Sequence, residues 1–124
     1  MHRENLTKLL KALKSKKKLP AEFNMGDYSQ LPSFGYNTCG SVGCLIGLSS
    51  YIIAPKNLEE GWFSYSNRIF NVLDNSEYSS WDFLFSAKWA NNRKTNTKVH
   101  AIKRIEFVLK HGCAPKNWGW NWGI

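Results

Sequence analysis

Apolar residues near the start of the chain recur with the spacing of an amphipathic helix. Four leucines stand at i, i+3, i+4 and i+7, which is one face of a 3.6-residue repeat: Leu6, Leu9, Leu10 and Leu13. The opposite face carries four cations: Arg3, Lys11, Lys14 and Lys18. Pro20 ends the repeat because proline lacks the amide N–H that a helix interior needs. The pattern predicts a basic amphipathic helix over residues 1–18.

A second strong helical pattern runs from about residue 97 to residue 111. Thr97 is a favourable N-cap, and Gly112 is a favourable C-terminal stop because glycine readily adopts a left-handed backbone. Five aliphatic residues are predicted to face inward: Val99, Ile102, Ile105, Val108 and Leu109. A basic face with one aromatic ring is predicted to lie opposite them: His100, Lys103, Arg104, Phe107 and His111. Such a face suits a phosphate beside a stacked base, although a solvated face with Phe107 half buried is an equal alternative.

Three shorter patterns in the middle of the chain also predict helices, at about residues 39–53, 64–73 and 79–90. The predicted core residues of the second helix are Tyr65, Ile69, Phe70 and Val72. The third helix has Ser79 or Ser80 as its predicted N-cap. It repeats aromatic residues at i, i+4 and i+8: Trp81, Phe85 and Trp89. Residues 21–38 predict a loop with at most a short strand. Together the patterns predict a mainly α fold, or an α+β fold with a minor strand element. Residues 1–124 are expected to form one compact domain of about five helices with an aromatic-rich core.

The tryptophan-rich tail over residues 115–124 has two interpretations. Trp118, Trp120 and Trp122 recur at a period of two, so an extended strand would line three indoles along one side, ready to stack on bases. Alternatively, the tail folds back and packs against the core, as aromatic residues of small domains often do. The packed arrangement is the favoured one.

The net charge of +8 is concentrated at the two ends of the chain. Residues 1–18 hold seven Lys/Arg against one acidic residue, and residues 88–124 hold eight against one, whereas the middle is acidic. If the two ends adjoin in the fold, they form one positive surface that attracts phosphate-bearing partners. No apolar run is long enough to span a bilayer, no secretory signal is recognisable, and three cysteines lack the spacing of a disulfide framework. We therefore expect a cytoplasmic protein that does not contact membranes.

The stretch "NTCGSVGC" (37–44) raises the question of cysteine chemistry. Cys39 would lie in the first turn of a helix, where the helix dipole favours a reactive thiolate, as in cysteine peptidases. No feature selects His100 or His111 as its base. A stripe of small residues at i, i+3, i+4 and i+7 instead favours close packing of this helix: Gly40, Gly43, Cys44 and Gly47. Packing is the preferred interpretation, and Cys39 is the candidate nucleophile of an alternative one.

A metal site and a cofactor are not predicted. The residues that could supply zinc ligands are Cys39, Cys44, His111 and Cys113, and they contain no C-x-x-C pair.

Scattered clusters of this sequence resemble a group of small tailed-bacteriophage proteins. The clusters share a CG-x3-C-x2-G and a WDFLF-x3-W pattern and cover about residues 37–118: Cys39-Gly40, Cys44 and Gly47; Tyr65-Ser66, Arg68 and Phe70; Trp81 to Phe85 with Trp89; and Asn96-Thr97, Ala101, Arg104-Ile105, Leu109, Gly112, Pro115 and Trp118. The resemblance implies an accessory protein acting in the cytoplasm of an infected bacterium, with a counter-defence role. It supplies no catalytic residues. The lysine-rich first helix and the tryptophan-rich tail depart from the group.

Two functions from different classes follow. The first is binding of an anionic partner, either a nucleotide second messenger or a nucleic acid. The second is inhibition of a host immune protein or a phage protein by docking on its acidic surface, with oligomerisation also possible. Hydrolysis at Cys39 is a third alternative. The candidate ligand-binding residues are Lys11, Lys14, Lys18, His100, Lys103, Arg104, Phe107, His111, Trp118, Trp120 and Trp122.

Overall fold

The computed structural model describes residues 1–15, 45–72, 80–85, 97–116, 118, 119 and 122. The helices in this part of the chain are α1 (Arg3–Lys14), α2 (Leu45–Ile52), α3 (Trp62–Phe70), α4 (Ser80–Phe85) and α5 (Lys98–His111). The described ranges contain no strand, and the short strand considered within residues 21–38 lies outside them. The prediction of a mainly α fold with about five helices is confirmed.

The hydrophobic core lies where α1 meets the other helices. α1 packs most extensively against α5 and also contacts α2 and α3, while α4 packs on α5. Aromatic and aliphatic residues share one buried cluster, which includes Leu9, Leu48, Tyr65, Phe70, Phe83, Phe85, Ile105 and Trp118. The aromatic-rich core predicted from the sequence is therefore present.

The predicted apolar stripe of α1 is confirmed. Leu6, Leu9 and Leu13 are buried, and Leu10 is partly buried. The helix ends at Lys14 because Ser15 adopts an extended backbone with ψ of 145°, so α1 is shorter than the predicted 1–18. Residues 16–18 lie outside the described ranges.

Hydrogen bonds join the start of α1 to the end of α3. The His2 amide donates to the Phe70 carbonyl at 2.7 Å, and the Asn5 side-chain amide donates to the Ile69 carbonyl at 2.6 Å. Both carbonyls belong to the last turn of α3, where no backbone partner remains within the helix. The start of α1 thereby supplies hydrogen-bond donors to two carbonyls at the C-terminal end of α3.

The connection between α2 and α3 is fixed by Tyr65 and Arg68. The Tyr65 hydroxyl donates to the Ala54 carbonyl, and burial raises the Tyr65 pKa to about 12. Arg68 donates to both carboxylate oxygens of Glu60, at 2.8 and 2.9 Å, and to the Pro55 carbonyl at 3.1 Å. The four predicted core residues of this region are all buried: Tyr65, Ile69, Phe70 and Val72. The predicted helix 64–73 is shorter at its end, because left-handed Asn71 follows Phe70.

α4 presents aromatic side chains to α3 and α5. Trp81 and Phe85 contact each other edge-on with ring centroids 5.8 Å apart, as their spacing predicted. Ser80 is the first helical residue, and its hydroxyl accepts the Ala114 amide at 2.9 Å. Trp89, the third member of the predicted series, lies outside the described residues.

The ends of α5 are predicted correctly, and so is part of its buried face, since Ile105 and Val108 are buried and Ile102 and Leu109 are partly buried against the core. The Thr97 side chain accepts the His100 amide at 3.4 Å, and Gly112 is left-handed with φ of 81°. Val99, expected to face inward, is 59% exposed. The face that is buried stands at i, i+3, i+4 and i+7: Ala101, Arg104, Ile105 and Val108. α1, α4 and the tail contact α5 from this direction, so the helix is rotated relative to the prediction.

No helix in the described part of the chain is both long and apolar enough to cross a membrane.

Candidate functional site

The two basic ends of the sequence adjoin in the fold. The Arg3 guanidinium on α1 donates to the Leu109 carbonyl on α5. The Lys14 ammonium on α1 pairs with the Glu106 carboxylate on α5 at 2.8 Å. These contacts span more than ninety positions of the sequence. The condition for one combined positive surface is therefore met.

Exposed lysines lie on the outward faces of both helices. We call five of them the lysine surface: Lys8, Lys11 and Lys14 on α1, with Lys103 and Lys110 on α5. Glu106 is three residues after Lys103 and four before Lys110, which places all three on one helix face. Its ion pair with Lys14 therefore brings Lys14 of α1 beside the α5 lysines.

The charge balance of this surface is positive. The helices α1 and α5 carry eight Lys/Arg residues between them, whereas their acidic residues are Glu4 and Glu106. The Lys14–Glu106 pair is about half exposed on both sides, so water and salt weaken its attraction. Excess positive charge on two packed helices creates a potential that attracts polyanions over several ångströms.

Arg104 lies in the interior, and its predicted position on an exposed basic face is wrong. It is 1% exposed, and its guanidinium donates to the Phe83 carbonyl at 2.9 Å and to the Trp122 carbonyl at 3.4 Å. The guanidinium carbon also lies over three rings, at 4.6 Å from the centroid of Phe83, 5.6 Å from Trp122 and 5.7 Å from Trp118. Burial lowers the Arg104 pKa to about 10, which leaves it charged at neutral pH.

The aromatic residues predicted to stack on a ligand pack against each other instead. Phe83, Phe107, Trp118 and Trp122 form what we call the arginine cluster together with Arg104. Trp118 and Trp122 contact Phe83 edge-on at 5.3 and 4.7 Å, and Phe107 contacts Trp122 at 5.4 Å. Trp118 is 4% exposed. The favoured interpretation of the tail, packing on the core, is confirmed for these two tryptophans; Trp120 lies outside the described residues.

The two histidines of α5 occupy different environments. His100 is partly buried, and its Nδ1 lies 3.0 Å from the Thr97 hydroxyl. Burial lowers the His100 pKa, and the nearby charges of Lys103 and Arg104 lower it further. His111 is exposed at the helix end and stacks on Phe107 with centroids 4.2 Å apart. The contact with Thr97 therefore holds His100 at the start of α5, whereas His111 lies exposed at its end.

Cysteine chemistry remains a sequence-based prediction. Cys39, Cys44 and the glycines at 40 and 43 lie outside the described residues, as does Lys18, while Gly47 is buried on α2. Cys113 is exposed, with a free thiol. Across the described ranges, no three His, Cys, Asp or Glu side chains are grouped closely enough to hold a metal ion.

Sequence reasoning missed Lys8, Lys110 and Phe83. Both lysines were recognisable in principle, since Lys8 lies on the polar side of α1 and Lys110 lies one helical turn from Glu106. The sequence around Phe83 indicated only an aromatic-rich segment. The central position of Phe83 depends on the contacts that Trp118 and Trp122 of the tail make with it.

Comparisons of the chain with protein-family models, curated proteins and solved structures found no match. The resemblance to tailed-phage proteins therefore stays a prediction.

Proposed function

We propose that this protein binds nucleic acid through the lysine surface, by contacts to the phosphate backbone. The observation that carries the proposal is the packing of α1 on α5, which joins the two basic ends of the chain at the Lys14–Glu106 pair. Closely spaced ammonium groups release the counterions that surround a polyanion, and this release drives association. Lysines on rigid helices lose little backbone entropy in the process.

A nucleic acid fits the site better than a small nucleotide does. A nucleotide needs a concave pocket in which a ring can stack and a fixed donor can hold the phosphate. Phe107 and Arg104 were the residues expected to supply these two groups, and both are engaged in the arginine cluster. The exposed lysines, in contrast, offer several separate phosphate contacts along an extended surface.

The test is a titration of a fluorescently labelled nucleic acid at several salt concentrations, followed by anisotropy. The double variant Lys8→Gln/Lys11→Gln should bind about tenfold more weakly, and its logarithmic salt slope should fall by about 2, one unit for each lost phosphate contact. The matched control is Lys8→Arg/Lys11→Arg, which retains both charges and should bind as the unmodified protein does. Equal affinity of the two double variants would contradict the proposal, and so would absence of binding at low salt.

The resemblance to tailed-phage proteins supports a biological setting for this activity. We place the protein in the cytoplasm of an infected bacterium, as an accessory protein that counters host defence. Plating efficiency of a phage on defended cells that express the protein tests this setting. The lysine-to-glutamine variant should lose the protection that the lysine-to-arginine variant retains.

A further inference from the structure

We infer that the lysine surface takes double-helical nucleic acid and holds it by its phosphate rows, without stacking on bases. This inference rests on the proposed function and specifies the form of nucleic acid. It depends on which side chains of α1 and α5 are exposed and which are bonded to other parts of the protein.

The aromatic side chain that α1 and α5 contribute to this region is engaged internally. Proteins that bind single strands combine a positive groove with exposed rings on which successive bases stack. The sequence of α1 contains no Phe, Tyr or Trp, and the single such residue of α5 is Phe107. Its ring contacts His111 at 4.2 Å, Trp122 at 5.4 Å and Phe83 at 6.1 Å. A base that stacked there would have to compete with these three ring contacts.

The arginines of the same two helices are both engaged within the protein, although Arg3 is exposed and only Arg104 is buried. Arg3 donates to the Leu109 carbonyl, and Arg104 donates to the Phe83 and Trp122 carbonyls. Guanidinium groups are the side chains that grip guanine edges or phosphates through paired hydrogen bonds. The five cations of the lysine surface are ammonium groups, which act as point charges and contact phosphates without reading sequence.

A duplex presents more phosphates than a single strand over the length of the lysine surface. At a rise of 1.5 Å per residue, α1 with 12 residues and α5 with 14 residues are each roughly 20 Å long. Over that distance a duplex presents about twelve phosphates, counting both strands, whereas one strand at the same rise presents about six. A rigid duplex also keeps its phosphates in place, so the lysines can engage them without ordering a flexible chain.

The experiment compares a DNA duplex, an RNA duplex and the separated strands of each, all of one length, with the unmodified protein. We expect a duplex to bind at least about fivefold more tightly than its strands, and duplexes of only A·T or only G·C pairs to agree within about threefold. Tryptophan fluorescence should not be quenched on binding. Preference for one duplex type supports the inference and identifies whether DNA or RNA is the source of the phosphate rows.

Tighter binding of single strands, accompanied by quenching of tryptophan fluorescence, would overturn the inference and leave the proposed function standing. Absence of binding to every nucleic acid would overturn both. The variant Phe107→Leu retains an apolar side chain but removes the ring. It therefore distinguishes duplex binding through phosphate contacts from single-strand binding through base stacking. Its affinity for the duplex should stay within about twofold, whereas stacking would make single-strand affinity fall by about tenfold. A tenfold loss of duplex affinity in a folded Phe107→Leu protein also contradicts the inference.

Discussion

The lysine surface and the arginine cluster are built partly from neighbouring residues of one helix, yet their cations lie in opposite environments. Lys103 is exposed, whereas Arg104, the next residue, is 1% exposed. An ammonium group is strongly hydrated and loses much solvation when buried, but a planar guanidinium is weakly hydrated and stacks on aromatic rings. A positive residue in a sequence therefore indicates a binding surface only if its side chain stays exposed. Lysine meets this condition more reliably than arginine because its ammonium group costs more to desolvate.

The arginine cluster is also more demanding in its partners than the lysine surface. Arg104 meets two carbonyls and three rings that come from α4 and the tail. Each group must be in place for the buried charge to be tolerated, since an unsatisfied buried charge is costly. The lysines require only that α1 and α5 stay packed together. We therefore expect changes in the cluster to affect stability and changes on the surface to affect binding.

The largest effect is expected for Phe83→Ala. Phe83 is fully buried and contacts Phe107, Trp118 and Trp122, so its removal leaves a cavity at the centre of the cluster. We expect the free energy of unfolding to fall by about 3–5 kcal/mol, measured by urea denaturation. The matched control is Phe63→Ala: Phe63 is 45% exposed and should cost about 1 kcal/mol or less. Similar losses for the two variants would contradict the central position of Phe83.

A smaller loss of stability is expected for Arg104→Ala. The substitution leaves the buried Phe83 carbonyl without its donor and removes the guanidinium from the rings, at a cost of about 2–3 kcal/mol in unfolding free energy. Nucleic-acid affinity of the protein that remains folded should be unchanged. Lys103→Ala is the adjacent control and should show the reverse, with a stability change within about 0.5 kcal/mol and weaker binding. If Arg104→Ala weakens binding without loss of stability, the separation between cluster and surface is wrong.

Glu106→Gln should strengthen binding, because Glu106 places a negative charge between Lys103 and Lys110 of the lysine surface. Removing its charge releases Lys14 and raises the local positive potential, so nucleic-acid affinity should rise about threefold in anisotropy titrations. Stability should change by less than about 0.5 kcal/mol, since both partners of the pair are half exposed. Glu59→Gln removes an exposed acid from the connection between α2 and α3 and is the control. Equal gains for both variants would show that only net charge matters.

The smallest effect concerns pH and the start of α5. Because burial, together with Lys103 and Arg104, lowers the pKa of His100 below 6.5, the unfolded chain binds a proton there more readily than the folded chain does. Stability from this residue is complete above about pH 6.5 and is lost as pH falls through the lowered pKa. Denaturation midpoints across this range should decline less steeply for His100→Gln. An unchanged slope would place His100 in a solvent-like environment.

The elements with a strong local signal were predictable from the sequence. The stripe of α1 has a single apolar direction, so its buried face followed from Leu6, Leu9 and Leu13 alone. The ends of α5 followed from Thr97 and Gly112, whose preferences are set by local backbone chemistry.

The orientation of α5 was not predictable in the same way. Apolar residues extend around much of its circumference, and the partners that select one face, α4 and the tail, are specified elsewhere in the chain. The prediction therefore chose Val99 as a core residue and Arg104 as a surface residue, and both choices were wrong. Likewise, the two basic ends were known from the sequence, but their contact depends on long-range packing that local patterns do not encode. The tail illustrates the same limit, since the period of its tryptophans fits both an exposed strand and a packed segment, and the packed arrangement was only the favoured one.

The packing of α1 against α5 also has a consequence for the order of events during synthesis. Ribosomes add about 5–20 residues per second, so roughly 4 to 18 s separate the appearance of Leu13 from that of Ala101. During this interval α1 lacks the helix against which it packs most extensively, so part of its apolar face stays exposed. The arginine cluster, whose members Arg104 and Trp122 are separated by 18 positions, closes its loop much sooner after emergence. The α1–α5 contact therefore forms only after α5 has been synthesised, and the arginine cluster only after Trp122 has followed it.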